Sequence, residues 1–394
     1  MIRTADVVVI GGGIVGASVA WHLAARGAGR VVVLERESLI GTGATRASAG
    51  GTRKLFSLEV NVRMAMEGQA VFRRLEEELG YALDFRRTGY LFLALTQVEL
   101  AGNRETLATL ARVGVADTRL VTPGEVRAIV PQLAMDGLLG GLLSPSDGHL
   151  SPAAVTEAFA REARRHGAEI QTGVEVETIE RSGDRVTGVR TAWGRIETPV
   201  VVNAAGAYAG EIARRAGIAI PVVPRRRLIF VTRDDRGLAP DIPMVFDFQT
   251  WFYFRREGTG VLFGTANTNE PPTLDPAPDW DFLAKISPLI FRRLPCLADA
   301  ELETAWGGCD GYTPDGNPLL GPTDALRGFV LACGFSGHGV MHSPATGRIV
   351  ADQILGRDVG YDLSPFDPDR FTRGPVQTRE PIMGHQYGVE LPEA

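Results

Sequence analysis

Asp6-Val7-Val8-Val9-Ile10-Gly11-Gly12-Gly13-Ile14-Val15-Gly16 is the stretch on which the reading of this 394-residue chain turns. Its first half is a short β-branched run of the kind that forms a strand buried on both faces. Its second half is G-x-G-x-x-G. Ala17 to Arg26 then reads as a helix stopped by Gly27, and Val31-Val32-Val33-Leu34 as a second strand ending in Glu35, nineteen residues beyond Gly16. Each part has a mechanical reason. Gly11 makes the tight turn, Gly13 lets a pyrophosphate approach the backbone, and Gly16 lets helix and strand pack closely. The helix N-terminus faces the phosphates, and Glu35 accepts from a ribose hydroxyl. The unit predicts dinucleotide binding in a doubly wound α/β domain, without separating a flavin from a nicotinamide dinucleotide.

Moving outward, Gly41 to Arg53 is a continuous run of small, hydroxylated or basic residues. It is either a flexible surface loop or, placed just past a central strand, the lining of an extended ligand. Val200 to Asn203 is a further buried strand that runs into Ala204-Ala205-Gly206 and a helix. Phe329 to Ala332 leads into Cys333-Gly334-Phe335-Ser336-Gly337-His338-Gly339-Val340-Met341-His342. Ser343-Pro344 then reads as an N-cap followed by proline at the first helical position, opening a helix to about Leu355. A second glycine-lined helix start suits a ligand with a second anionic locus, and reduced flavin has one, so FAD is favoured over NAD. His338 and His342 stand four apart, but His338 lies in the glycine loop and there is no HExxH, so no metal is expected. The alternative is that both simply hydrogen-bond backbone.

The composition excludes several classes. Hydrophobic residues at 44% and charged ones at 22% are those of a folded globular protein rather than a disordered one. The 41 basic and 47 acidic residues leave a net charge of −6, no footprint for nucleic acid or an anionic membrane. Lys54 and Lys285 are the only lysines. The three cysteines, Cys296, Cys309 and Cys333, lack a CxxC spacing and fit a reduced, cytoplasmic setting. No apolar run reaches the roughly 18 residues of a membrane span.

Gln249 to Arg255 and Gly260 to Gly264 read as paired strands around Arg256-Glu257-Gly258-Thr259. Alternation there places Trp251, Tyr253 and Arg255 on one face and Phe252 and Phe254 on the other.

Five segments taken together resemble one family: GGGIVG (11–16) with VVLERE (32–37), ATRASAGGTR (44–53), NAAGAYAGEIA (203–213), TPDGNPLLGP (313–322) and ACGFSGHGVMHSPATGRIVADQI (332–354). The chain resembles the FAD-dependent D-amino-acid oxidase superfamily, nearest its sarcosine oxidase branch. That branch includes the β subunits of heterotetrameric sarcosine oxidases and amino-acid dehydrogenases. The resemblance implies a Rossmann-like FAD-binding domain, α/β within an α+β whole, with an inserted antiparallel-sheet substrate domain. The expected division is 1–85, 145–220 and 306–371 for FAD, 86–144 and 221–305 for substrate, and 372–394 as a polar tail.

The resemblance also implies the cofactor residues. They are Gly11, Gly13, Ile14, Val15, Gly16, Glu35 and Arg36, then Thr42, Thr45, Ser48, Ala49, Gly50 and Gly51. Val176, Ala204, Ala205, Gly206 and Gly308 follow, with Gly334, Gly337, His338, Gly339, Val340 and Met341. Three departures from the branch stand out. Gly308 occupies the position of the cysteine that attaches FAD in monomeric sarcosine oxidases, and Cys309 is one residue off, so non-covalent FAD is expected. Met341 and Leu262 stand where that branch carries a carboxylate-binding and an oxygen-activating lysine.

The expected reaction is oxidation of the C–N bond of a small secondary or N-methyl amino acid. Arg53 or Lys54 and Tyr253 or Arg255 are expected to orient the carboxylate, and His338 and His342 to steady the reduced flavin. O2 or another acceptor would take the electrons, and a partner subunit or homo-oligomer stays open. The alternatives are a non-catalytic or partner-dependent FAD subunit or assembly factor, and an NAD-dependent dehydrogenase.

Overall fold

A computed structural model describes residues 2–374, so most of the expected polar tail, 375–394, lies outside the described residues. Val7–Ile10 is the strand that organises the first half of the molecule. All four side chains are buried, and they alternate between two cores. Val7 and Val9 face one with Trp21, Phe159 and Ile349, and Val8 and Ile10 face the other with Val32, Ile212 and Phe329. Its neighbours on both sides are parallel, the arrangement in which both faces of a sheet are covered. Val8 pairs with Val201 of Val200–Asn203 and with Val32 of Val31–Glu35. Glu169–Thr172, Phe329–Cys333 and Leu319–Pro322 complete six strands, of which only the last is antiparallel to its neighbour. One face is covered by helices Ile14–Ala25, Pro152–Arg165 and Gly339–Ile354. The other carries helix Ala209–Arg215 and a three-stranded sheet spanning Val176–Ser182, Arg185–Thr191 and Gly194–Glu197.

The first helix begins at Ile14, three residues before the expected start, and Gly16 lies within its first turn. Nothing larger fits there: a Cβ on Gly16 would stand 1.9 Å from the Gly11 carbonyl oxygen.

Helix Gly339–Ile354 corrects the expected start at Ser343-Pro344. It begins five residues earlier, with His338 at its N-cap and Pro344 inside it. Proline removes the N–H that would have bonded the Val340 carbonyl. The Ser343 hydroxyl donates to that carbonyl instead, at 2.8 Å, so the helix passes through the proline with its bond replaced.

The second sheet has eight strands, in the order Leu302–Tyr312, Val223–Thr232, Gly260–Thr265, Phe252–Glu257, Met244–Asp247, Tyr90–Ala94, Gly140–Ser144 and Arg119–Val121. It is antiparallel except where Met244–Asp247 and Tyr90–Ala94, distant in sequence, run parallel. Leu302–Tyr312 crosses the expected boundary at 305/306. The hairpin closes more tightly than expected, because Glu257 pairs with Gly260 and leaves only Gly258 and Thr259 as the turn. Trp251 lies outside the strand, with φ of +53°, and so is not set by the alternation that orients Tyr253 and Arg255. One face packs Leu228, Phe230, Phe252, Phe254 and Phe263 against helix Trp280–Arg293. The other face looks into a cavity between the two sheets.

Candidate functional site

That cavity has a volume of about 1100 Å³ and is lined from both halves of the molecule. At one end, Gly11, Gly13, Ile14 and Val15 present a strand-to-helix turn to it. The helix there has no side-chain cap and no acidic residue in its first turn, so the positive end of its dipole is left to whatever fills the cavity. Thr45 Oγ1 accepts from Ile14 N at 3.1 Å, tying the small-residue loop to this terminus. Glu35 lines the cavity with its carboxylate fixed by Gly12 N at 2.6 Å and Glu37 N at 2.9 Å. The Arg36 guanidinium lies over the Tyr208 ring, 3.6 Å from its centre.

The Gly41–Arg53 run is not a loose surface loop. Thr42, Thr45, Ser48, Ala49 and Gly51 all line the cavity. Its path is held by the eight-stranded sheet: Trp306 Nε1 donates to the Ala47 carbonyl at 3.2 Å, and Arg255 Nη2 to the Ala49 carbonyl at 3.0 Å. Opposite, Gly339, Val340 and Met341 bring a second uncapped helix start to the same cavity. The glycine loop before it is pinned to Leu302–Tyr312. Ser336 N donates to the Gly311 carbonyl at 3.0 Å, and Gly337 N to Asp310 Oδ2 at 2.6 Å. Ser336 itself has φ of +52°, a cost of order 1 kcal/mol or more that these bonds hold in place.

At the far end the groups are side chains. Arg53 is buried, with its guanidinium 4.3 Å from the Phe56 ring and 5.2 Å from the Phe92 ring. It donates to the Leu55 carbonyl, and through Nη2 to His338 Nε2 at 3.2 Å. Since a guanidinium only donates, that nitrogen of His338 is unprotonated. Burial first, then the charges of Arg53, His342 and Arg227, holds the His338 imidazole well below its ordinary range. Tyr253 stacks on Phe246 at 5.6 Å and reaches over Gly264, where any Cβ would collide with its ring.

Most expected cofactor residues converge here. Gly16, Gly50 and Gly334 shape the walls without lining them, each because a Cβ would strike a neighbour: Gly50 the Leu150 carbonyl at 2.1 Å, Gly334 the Thr313 methyl at 2.6 Å.

Three further expected site residues, all side chains, do not line the cavity. Lys54 turns away from it, and its ammonium is buried against Asp147 at 3.0 Å with Ser146 and Gln69 beside it. Arg255 shares the face of Tyr253, but one step further along the strand it is spent on Ala49, Arg256 and Glu257. His342 packs on Phe56 and donates from Nε2 to the Asn61 carbonyl at 3.2 Å. The role expected of the two histidines also changes. Burial, then Arg53, pushes His342 down to about 3, so both imidazoles are neutral and the positive charge beside them belongs to Arg53. Leu262 is buried in the apolar layer behind the cavity.

Gly308 sits against Ala47, whose Cβ an added methyl would meet at 2.2 Å. The neighbouring Cys309 thiol points to the Asp275 carbonyl at 3.5 Å, and burial pushes it up to about 11, so it stays protonated. Sequence reasoning missed Arg227, Phe246, Phe248, Asp310 and Tyr312, which also line the cavity. All but Phe248, which follows Met244–Asp247, come from strands whose register no local motif announces. Among the described residues no three of His, Cys, Asp and Glu converge as metal ligands, and no helix is long and apolar enough to cross a membrane.

A family model described as FAD dependent oxidoreductase matches residues 6–353. The chain is 33% identical over 384 residues to mitochondrial sarcosine dehydrogenase of Mus musculus, covering 93% of this chain and 41% of that protein. It therefore spans about two fifths of the length of that relative. It is also 33% identical over 417 residues to FAD-dependent oxidoreductase domain-containing protein 1 of Xenopus laevis, covering 93% and 82%. Among solved structures, L-proline dehydrogenase from P. horikoshii superposes with a TM-score of 0.88 at 34% identity, covering 96% of this chain and all of that one.

Proposed function

The chain belongs to the FAD-dependent oxidoreductase family, and from that premise we propose that it oxidises the C–N bond of a small secondary or N-methyl amino acid, of the sarcosine or proline kind. The residues present fit FAD. A cavity of about 1100 Å³ carries a glycine turn and uncapped helix start at one place and a second uncapped helix start at another. Gly11, Gly13, Ile14 and Val15 would hold the pyrophosphate, Glu35 the ribose, and Gly339 to Met341 the flavin ring. The side chain missing at Gly308 and the protonated thiol of Cys309 support non-covalent binding. When bound, FAD supplies the hydride acceptor, and water hydrolyses the resulting imine.

The observation that carries the substrate reading is Arg53. Its guanidinium is held at the cavity wall by the Leu55 carbonyl and His338, between Phe56 and Phe92, and a fixed planar donor suits a carboxylate. Phe246 and Tyr253 beside it offer apolar surface to the carbon skeleton and exclude water. Relatives named for sarcosine and proline oxidation support the amine class.

The test is anaerobic mixing of the purified yellow protein with sarcosine, other N-methyl amino acids and proline. Bleaching of the flavin band by one of them, with O2 or an artificial acceptor restoring it, is the expected result. A flavoprotein that no amine bleaches would overturn this reading in favour of a partner-dependent or structural FAD subunit.

A further inference from the structure

Val223–Thr232 carries three arginines in succession, which in sequence look like a solvated charge run. Strand alternation separates them. Arg226 turns to Glu270 and Asp279, whereas Arg227 and Ile229 face the cavity and Leu228 and Phe230 face the core. Arg227 donates from Nε, at 2.8 Å, and from Nη2 to the Tyr312 hydroxyl, and its guanidinium lies 4.6 Å from the Tyr312 ring and 5.4 Å from that of Trp251.

A continuous aromatic wall joins Arg227 to Arg53. Arg53 lies over Phe92, Phe92 meets Phe246 at 6.1 Å, Phe246 meets Trp251 at 5.8 Å, and Arg227 lies over Trp251. All five line the one cavity. Arg53 Nη2 also donates to His338 Nε2 at 3.2 Å, and the charge of Arg227 adds to the burial that keeps that imidazole neutral. The acid nearby, Asp310, gives its oxygens to Gly311 N at 2.8 Å and Gly337 N at 2.6 Å.

We propose that this aromatic wall with a guanidinium at each end selects an amino acid bearing two carboxylates, Arg53 holding one and Arg227 the other. The substrate class is thus an N-carboxyalkyl or N-methyl amino-dicarboxylate, and the inference rests on the amine-oxidising reading above.

The test uses the FAD-loaded protein and redox-inert thioethers, in which sulfur replaces the amine nitrogen. Thiodiacetate and 3-(carboxymethylthio)propionate carry two carboxylates, and (methylthio)acetate carries one. Binding is read from the shift of the flavin absorption band. The expected result is that a dicarboxylate binds at least about 10-fold tighter than the monocarboxylate, the range one charge-assisted contact supplies. Arg227→Gln should raise the dicarboxylate Kd by at least about 10-fold, and Arg53→Gln should raise it for both classes.

Equal affinities in the unaltered protein would overturn the proposal, and that comparison needs no variant to fold. So would a dicarboxylate preference that survives Arg227→Gln. The two readings separate cleanly. If sarcosine bleaches the flavin and no dicarboxylate is preferred, amine oxidation stands and the second carboxylate falls. If nothing is bleached but the Arg227-dependent preference is present, the binding site stands and the chemistry falls.

Discussion

Where Gly11, Gly13, Ile14 and Val15 meet the cavity, the protein offers backbone. Where Arg53, Tyr253, Phe246 and Arg227 meet it, the protein offers side chains carried by four separate segments. The first kind of surface is specified by what is absent, since a single Cβ destroys it. The second is specified by strand register, since each side chain reaches its place only if distant strands pair as they do. Backbone recognition of this kind suits a part of a ligand that never changes, such as a pyrophosphate, and side-chain recognition suits a part that defines the substrate.

The sharpest way to break this comparison is within the glycine turn itself. A Cβ on Gly16 would lie 1.9 Å from the Gly11 carbonyl oxygen, backbone against backbone. Gly16→Ala should therefore displace the helix from the strand, costing about 3 kcal/mol or more and abolishing flavin retention. A Cβ on Gly13 meets only Thr45 Oγ1, at 3.3 Å. Gly13→Ala should keep the melting temperature within a few degrees while flavin content, read as the ratio of visible to 280 nm absorbance, falls several-fold. Equal losses in the two variants would show that Gly13 is structural and that this end is not a ligand surface.

Two adjacent residues sharpen the other region. Lys54 is buried against a fully buried Asp147 and faces away from the cavity, whereas Arg53 lines it. Lys54→Met leaves the Asp147 charge without its ammonium partner, and should cost about 3 kcal/mol in urea unfolding with KM unchanged. Arg53→Lys should do the reverse. It retains charge but loses the planar fork, so KM for a bleaching substrate should rise by about 10- to 100-fold with stability nearly held. If Lys54→Met instead raises KM, the expectation that it binds the substrate carboxylate returns.

That pair also shows what a linear chain can reveal. The nucleotide half is legible from residues 6–35 because strand, turn, helix and acid follow one another and each has a local reason. Val7–Ile10 and Gly11 to Gly16 specify one another within a dozen residues. Arg53 and Lys54, by contrast, are chemically alike and adjacent, and only the direction of the chain between Thr52 and Leu55 decides which faces the cavity. Arg255 sits on the expected face yet is consumed by the Ala49 carbonyl, 206 residues away in sequence. Arg227 was hidden in a charged run because its exposure depends on pairing with Leu302–Tyr312. The start of the last helix was misplaced for a different reason. Ser343-Pro344 has the chemistry of a helix start, and only the Ser343 bond to the Val340 carbonyl shows how proline is tolerated inside.

The smallest expected effect concerns the histidines of the side-chain end. Burial, then Arg53, keeps His342 neutral down to about 3, and His338 is likewise held well below its ordinary range. Unfolded, both would titrate near 6.5. Below about pH 6.5 the unfolded chain takes up protons that the native protein refuses. Their contribution to stability is therefore complete above that pH and is lost as pH falls towards about 3, at up to about 1.4 kcal/mol per pH unit for each group. His22 and His149, also pushed down to about 3, add terms of the same sign. Asp247 and Asp310, raised by burial, act in the opposite sense, their contribution being lost as pH rises. The total slope thus mixes both signs, and the useful quantity is the difference between the unaltered protein and His342→Gln. Urea unfolding at pH 6.0, 5.5 and 5.0 should show the variant losing stability more slowly with acid, by about 1 kcal/mol per pH unit. Parallel slopes would mean that His342 is protonated in the native protein, and that the positive charge beside the aromatic wall is shared by Arg53 with an imidazolium.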